Sequence, residues 1–304
     1  MDISLPIRHM MKALPIKVPL SGIKRNTILA VLDIICPKPS SLYNLKNSKH
    51  DDLLISHSNP NERLLKYAFW NVKRYFIHSE LAALIREEIP INRLFVDIGA
   101  NLGFYSLLAK EAGIQAVSFE PEPQHADYLK RNAHVFPHVF DIALSDENGT
   151  AVFNVGSDKN QGCSSLINSS SGRNAYYYNG TVDVTTNTFD HFLQEHKEII
   201  PADIAGIKID VEGAECKTLA GMTSFLKHSK AWIWSEVRGE SSDRGSNSYK
   251  HVLSIANENN YKAYCYTNNG LEEFNEEQHV KQLFDMLFLK PDIHADLIKR
   301  HTAH

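Results

Sequence analysis

A change of rhythm at Pro90 constrains this chain more than any other feature. Beyond it, short apolar runs that end in glycine or an acid alternate with stretches of helical spacing. "RLFVDIG" is such a run, and "FYSLLAKEAG" is a helix stopped at Gly113. "AVSFEPEP" and "PQHADYLKRNAH" repeat the unit, and "VFDIALSD" supplies a third strand. The order resumes with "TFDHFLQEHKEI" as helix, "IAGIKIDVEG" as strand, "AECKTLAGMTSFLKH" as helix, "AWIWSEV" as strand and "YKHVLSIANENN" as helix. Strands separated by single helices cannot pair as hairpins; they need crossovers and a parallel sheet covered on both faces. Two last strands, "YKAYCYT" and "LFDMLFLK", follow one another without a helix and predict an antiparallel edge. "GTAVFNVG" and "TVDVTT" alternate with period two and read as an antiparallel pair around a long loop, residues 155–180.

Upstream of Pro90 the pattern differs. From Glu62 to Glu88, Leu65, Phe69, Val72, Phe76, Leu81 and Leu84 form a stripe at near-helical spacing, so residues 61–90 read as a helical cap. Residues 1–60 are irregular and basic at the start, with five Lys and Arg against one Asp over residues 1–25. That leader leaves attachment to an anionic membrane surface open. Residues 91–304 form the α/β domain in this division. No run reaches the roughly 18 apolar residues of a membrane span. A net charge of −4 over 304 residues offers nothing to a polyanion such as nucleic acid. The four cysteines are widely spaced, which fits a reducing, cytoplasmic setting. The sequence says nothing of oligomeric state.

In sheets of this kind ligands bind outside the carboxyl ends of the strands, where strand order reverses. The first strand ends in Asp97-Ile98-Gly99-Ala100-Asn101-Leu102-Gly103. Gly99 and Gly103 permit a sharp turn and close approach of a ligand, and the helix start that follows offers free N–H groups to an anion. Glu120 ends the second strand about twenty residues later, where an acid can accept both hydroxyls of a ribose. The middle glycine of a dinucleotide fingerprint is replaced by Asn101, so the turn suits a nucleoside with an amino-acid tail better than a pyrophosphate. Asp97 could hold the ammonium of that tail, directly or through water, and the turn N–H groups its carboxylate. S-adenosylmethionine carries all of these groups.

"FVDIGANLGFYS", "SFEPEP", "ALSDENGTAVF" and "IKIDVEGAE" resemble, in order and spacing, the FkbM-type S-adenosylmethionine-dependent methyltransferases, from about Leu94 to Glu236. The resemblance implies an α/β, Rossmann-like class I methyltransferase sheet, seven-stranded and mostly parallel with an antiparallel last strand. It also implies O-methylation of sugar hydroxyls or secondary-metabolite alcohols. It carries Asp97, Gly99, Asn101, Gly103 and Glu120 over as cofactor positions, with Ser145 and Asp146 near the adenine.

The stretch "KIDVEGAE" then needs explaining, because like carboxylates at the end of a buried strand repel and are costly to desolvate. Glu215 falls in the first turn of the following helix, where negative charge is favoured. Asp210 and Glu212, as i and i+2 of extended chain, point to one side beside the glycine turn. They are the candidate catalytic pair, as general base or as anchor for sugar hydroxyls. Glu236, ending the next strand, is a candidate substrate residue. A divalent cation held by Asp210, Glu212 and Glu236 is a less favoured reading, and no residue is assigned as a metal ligand. Lys208 balances this charge from the same strand face. In the 155–180 loop Ser164, Ser165 and Tyr177 are candidates to hydrogen-bond and stack on a saccharide. The acceptor is expected to be a small molecule or glycan. The rival from another class is a non-catalytic binder that keeps the scaffold while its acceptor pocket has changed.

Overall fold

The structure, a computed structural model, describes residues 42–45, 53–56, 78–156, 164–166, 178–239, 249–280 and 283–302. The chain divides into two compact units, residues 1–79 and 80–304. In the first, β1 (Leu42–Leu45) and β2 (Leu53–Ser56) pair antiparallel, Leu42 opposite Ser56. The basic leader and the stripe from Leu65 to Phe76 lie outside the described residues. Helix α1 (Ser79–Glu88) carries the C-terminal part of that stripe, with Leu81, Leu84 and Ile85 buried.

The second unit is built on one twisted sheet. Its strands are β3 (Leu94–Ile98), β4 (Gln115–Phe119), β5 (His138–Phe140), β9 (Ile204–Ile209), β10 (Trp232–Arg238), β11 (Lys262–Thr267), β12 (Gly270–Glu273) and β13 (Leu283–Leu289). Their order is β12-β11-β13-β10-β9-β3-β4-β5. β5, β4, β3, β9 and β10 run parallel, whereas β13 lies antiparallel between β10 and β11. The chain moves outward from β3 through β4 to β5, then returns to the other side of β3 as β9. Strand order therefore reverses between β3 and β9, and a crevice opens at their carboxyl ends.

Alternation along the strands sorts the side chains. Val96, Ile98, Val117, Phe119, Ile207, Ile209 and Ile233 join one core cluster with Phe189 and Phe192 of α4 (Phe189–Glu195), Leu219 of α5 (Glu215–Ala220), Leu226 of α6 (Thr223–His228) and Val252 of α7 (Tyr249–Glu258). Phe119 packs edge-on against Phe192, ring centroids 4.8 Å apart. Each such fully buried side chain contributes roughly 1.5–3 kcal/mol by leaving water. The alternate residues Phe95, Asp97, Ser118, Lys208, Trp232 and Trp234 belong to the opposite face, where Ser106 of α2 (Phe104–Glu111) meets Asp97. Both tryptophans are buried there. A Cβ at Gly206 would stand 2.3 Å from the Trp232 ring, so only glycine lets that indole lie across β9.

Four expectations are corrected. "VFDIALSD" is two strands: β5 stays in the main sheet, and after Asp141-Ile142 the chain leaves it as β6 (Ala143–Leu144). β6 pairs with β8 (Tyr178–Asn187), and β8 with β7 (Gly149–Gly156), as a separate three-stranded sheet. The single helix over "AECKTLAGMTSFLKH" breaks at Gly221-Met222 into α5 and α6, and a Cβ at Gly221 would stand 1.9 Å from the carbonyl of Ser145, so only glycine fits at the break. The antiparallel strand β13 is inserted inside the sheet, not set at its edge, and a short helix α8 (Glu276–His279) precedes it. The edge belongs to β12, which forms a hairpin with β11 and adds an eighth strand.

Candidate functional site

Asp97 on β3 and Lys208 on β9 are direct cross-strand neighbours. Asp97 is fully buried: Oδ2 accepts both the backbone N–H (3.1 Å) and the hydroxyl (2.7 Å) of Ser106, while Oδ1 lies 3.3 Å from the Lys208 ammonium. Helix α2 has no side-chain cap of its own at Gly103. Asp97 thus supplies the negative charge that the N-terminal turn of α2 attracts. The ammonium that Asp97 faces in this structure is that of Lys208.

The turn that follows is left-handed at Gly99 (φ 74°), Asn101 (φ 52°) and Gly103 (φ 74°). Asparagine tolerates this region better than most residues, which accounts for Asn101 between the glycines. Gly99 and Ala100 both donate to the Phe119 carbonyl at 3.0 Å, tying the turn to the end of β4. Asn101 N–H donates to Oε2 of Glu120 at 2.6 Å, and Glu122 N–H donates to Oε1 at 2.8 Å. Glu120 is therefore clamped at the mouth of the turn with one backbone donor on each oxygen. Burial raises its pKa from 4.5 to about 7 and the charge of Glu122 adds to the rise, against those two donors and Lys208, which lower it. Glu122 next to it caps α3 (Pro123–Arg131) through the N–H groups of Gln124 and His125. Ser145 and Asp146 follow β6. The Ser145 hydroxyl donates to Asp146 at 2.9 Å and the Lys217 ammonium of α5 does so at 3.1 Å.

Beyond β9 the carboxylates converge, but not as expected from an extended i, i+2 pair. β9 ends at Ile209, and Glu212 sits in the left-handed region at φ 55°. Such a conformation costs a non-glycine residue roughly 1–3 kcal/mol unless its surroundings impose it. Here they do: the Ser165 hydroxyl donates to the Glu212 carbonyl at 2.9 Å, and Arg238 donates to its Oε2 at 2.5 Å. The parallel register of Ser235 with Ile209 brings Glu236 level with Asp210. Carboxylate oxygens of Asp210, Glu212 and Glu236 all lie within 4.8 Å of one another. Burial raises the pKa of Glu236 to about 9, and Asp210, Glu212 and Asp285 push it the same way. Such a group of oxygens can accept hydrogen bonds from hydroxyls, take up a proton or surround a cation. Glu215 accepts the Gly213 N–H at 2.9 Å in the first turn of α5, the structural role its position suggests.

The structure brings together Gly99, Asn101 and Glu120 at one point, and Asp210, Glu212 and Glu236 at another, both at carboxyl strand ends. Ser164 and Ser165 meet protein groups. Ser165 is fully buried with its hydroxyl on Glu212, and the Ser164 hydroxyl accepts the Gly156 N–H at 2.8 Å. Both hydroxyls are engaged with backbone groups, and that of Ser164 keeps its own proton to donate. Tyr177 lies outside the described residues. Arg238 was not singled out, although period two from Glu236 places it on the same strand face.

A family model, described as the methyltransferase FkbM domain, matches residues 97–263, more than half of the chain. The methyltransferase sdnD of Sordaria araneosa is 38% identical over 76 residues, covering 23% of this chain and 29% of that protein, so the chain matches under a third of that relative's length. Among solved structures, a methyltransferase FkbM from Methylobacillus flagellatus is similar at 13% identity and TM-score 0.38, over 65% of this chain and 43% of that one. An O-methyltransferase from Bacillus cereus, solved in complex with SAH, is similar at 15% identity and TM-score 0.41, over 86% and 96%. The family match spans the glycine turn, Glu120, the inserted sheet and the acidic end of β9, and every described candidate residue from Asp97 to Glu236 lies within it. This chain belongs to the FkbM methyltransferase family.

Proposed function

We propose that the protein is an S-adenosylmethionine-dependent O-methyltransferase whose acceptor is a hydroxyl of a sugar, glycan precursor or secondary metabolite. The observation that carries this reading is the convergence of Asp210, Glu212 and Glu236 beside the turn that Glu120 closes. The residues fit the methyl donor: each Glu120 oxygen has a single backbone donor, leaving lone pairs for two ribose hydroxyls. When bound, S-adenosylmethionine supplies an electrophilic methyl group. Asp210, 36% exposed, accepts the proton of the acceptor hydroxyl, a role typically worth 10²–10⁴-fold. Glu212, held by Arg238, and Glu236 accept hydrogen bonds from neighbouring hydroxyls and orient the acceptor.

The same oxygens favour a second reading, in which a divalent cation on Asp210, Glu212 and Glu236 acidifies the acceptor hydroxyl. No helix among the described residues is long and apolar enough to cross a membrane. We place the protein in the cytoplasm, which the widely spaced cysteines support. Incubating the purified protein with labelled S-adenosylmethionine and an extract of candidate glycans tests the proposal. Label in a hydroxyl-borne methyl ether supports it, label on nitrogen or carbon replaces it, and a chelator in a parallel reaction separates the two readings.

A further inference from the structure

Lys208 stands in neither list of candidate ligands, yet it touches both halves of the site. Its ammonium donates to the Gly99 carbonyl at 2.8 Å, lies 3.3 Å from Asp97 and 3.6 Å from Asp210, and sits over the Tyr105 ring at 5.5 Å. The side chain is only 5% exposed. The buried ammonium makes one hydrogen bond, to the Gly99 carbonyl, and two ion pairs, with Asp97 and Asp210, so one side chain meets three groups at once. Two of those partners bracket the place where strand order reverses: Gly99 opens the turn after β3, and Asp210 follows the last residue of β9. The third, Asp97, anchors α2 through Ser106. No side chain other than Lys208 joins the glycine turn to Asp210 among the described hydrogen bonds and ion pairs.

We infer that Lys208 is a positioning residue that fixes the glycine turn and Asp210 relative to one another, so that a single ammonium sets the geometry of donor and acceptor halves alike. This rests on the reading of Gly99–Glu120 as the donor site and of Asp210 as the acceptor-side acid. Neutralising Asp97 and Asp210 alone would require only a positive charge somewhere near them. Setting the Gly99 carbonyl requires a donor at one point on that oxygen, and the observed 2.8 Å bond is that donor.

The test uses S-adenosylmethionine as probe with the full-length protein, read by calorimetric affinity and melting temperature. Lys208→Met alone strands the buried Asp97, so it is combined with Asp97→Asn to restore charge balance. The double variant is expected to stay folded and to bind S-adenosylmethionine at least tenfold more weakly. Leu226→Ala, a cavity in the distant α6 core, lowers the melting temperature but is expected to keep the affinity within about threefold, which separates lost positioning from lost stability. Should Lys208→Met/Asp97→Asn fail to fold, Lys208→Arg decides by the same readouts. It keeps the charge, but its larger planar fork cannot place one donor on the Gly99 carbonyl while facing both carboxylates as the ammonium does, so weak binding in a folded Lys208→Arg variant supports the inference. Wild-type affinity in either folded variant overturns it. If wild-type protein itself fails to bind S-adenosylmethionine, the donor-site reading falls first, and if Asp210→Asn retains full turnover, the acceptor-side reading does.

Discussion

The carbonyl oxygen of Asp210 stands 1.9 Å from the point where a side chain on Gly99 would begin. The turn after β3 and the end of β9 are thus in backbone contact, and Asp210 N–H donates to the Ile98 carbonyl at 3.1 Å to hold them so. Donor and acceptor halves of the site share a seam that no side chain can enter.

Gly99→Ala should therefore fail twice, from the left-handed backbone and from overlap with that carbonyl. We expect a loss of at least about 2 kcal/mol in stability. S-adenosylmethionine affinity should fall with it. Chemical denaturation and calorimetry check both, and a stable variant with normal affinity would show that the seam is not rigid.

Glu120 makes the site pH-sensitive. Its folded pKa of about 7 lies above the ordinary 4.5, so the folded state keeps a proton that the unfolded state gives up. Its contribution to stability is full below pH 4.5 and is lost as pH rises towards 7, amounting to on the order of 3 kcal/mol. Ribose hydroxyls donate to the charged form, so S-adenosylmethionine affinity should rise over the same interval and beyond. Titrations at pH 6 and 8 should show this in the wild type and not in Glu120→Gln.

Asp210→Asn should reduce turnover by about 10²–10⁴-fold while sparing donor affinity. Steady-state rates on the acceptor found by the labelling experiment, paired with calorimetry, distinguish this from general damage to the site.

Arg238→Met should leave Glu212 without its partner among like charges. The pair is half-buried, and we expect a loss of roughly 1–3 kcal/mol. Adding Glu212→Gln should recover most of it, because the remaining side chain is neutral. An uncorrected double variant would place the role of Arg238 elsewhere.

Glu236, pushed up to about 9, loses its stabilising proton as pH rises from 4.5 through 9. Glu236→Gln mimics the protonated form, so it should be more stable than wild type at pH 9.5 and close to it at pH 5. Thermal melts at the two values suffice. If magnesium removes the difference at pH 9.5, the carboxylates are binding a cation.

Much of this molecule was legible before folding was considered. The alternation after Pro90 specifies the parallel sheet because a buried strand must be apolar on both faces and a crossover helix must be amphipathic. The glycine turn was legible because only certain residues tolerate a left-handed backbone, and Glu120 because an acid ending the neighbouring strand falls beside that turn.

Other assignments depended on distances across the chain that no local pattern encodes. Asp97 reads as a free acid in sequence, yet Ser106 and Lys208 claim it in space. Asp210 and Glu212 were expected to align through extended geometry, whereas the left-handed backbone at Glu212 and the clasp from Ser165 and Arg238 bring them together. Local spacing sets which way a side chain leaves its own strand. Which partner it meets, and whether its charge is spent on protein or left for a ligand, is decided only when distant strands come into register.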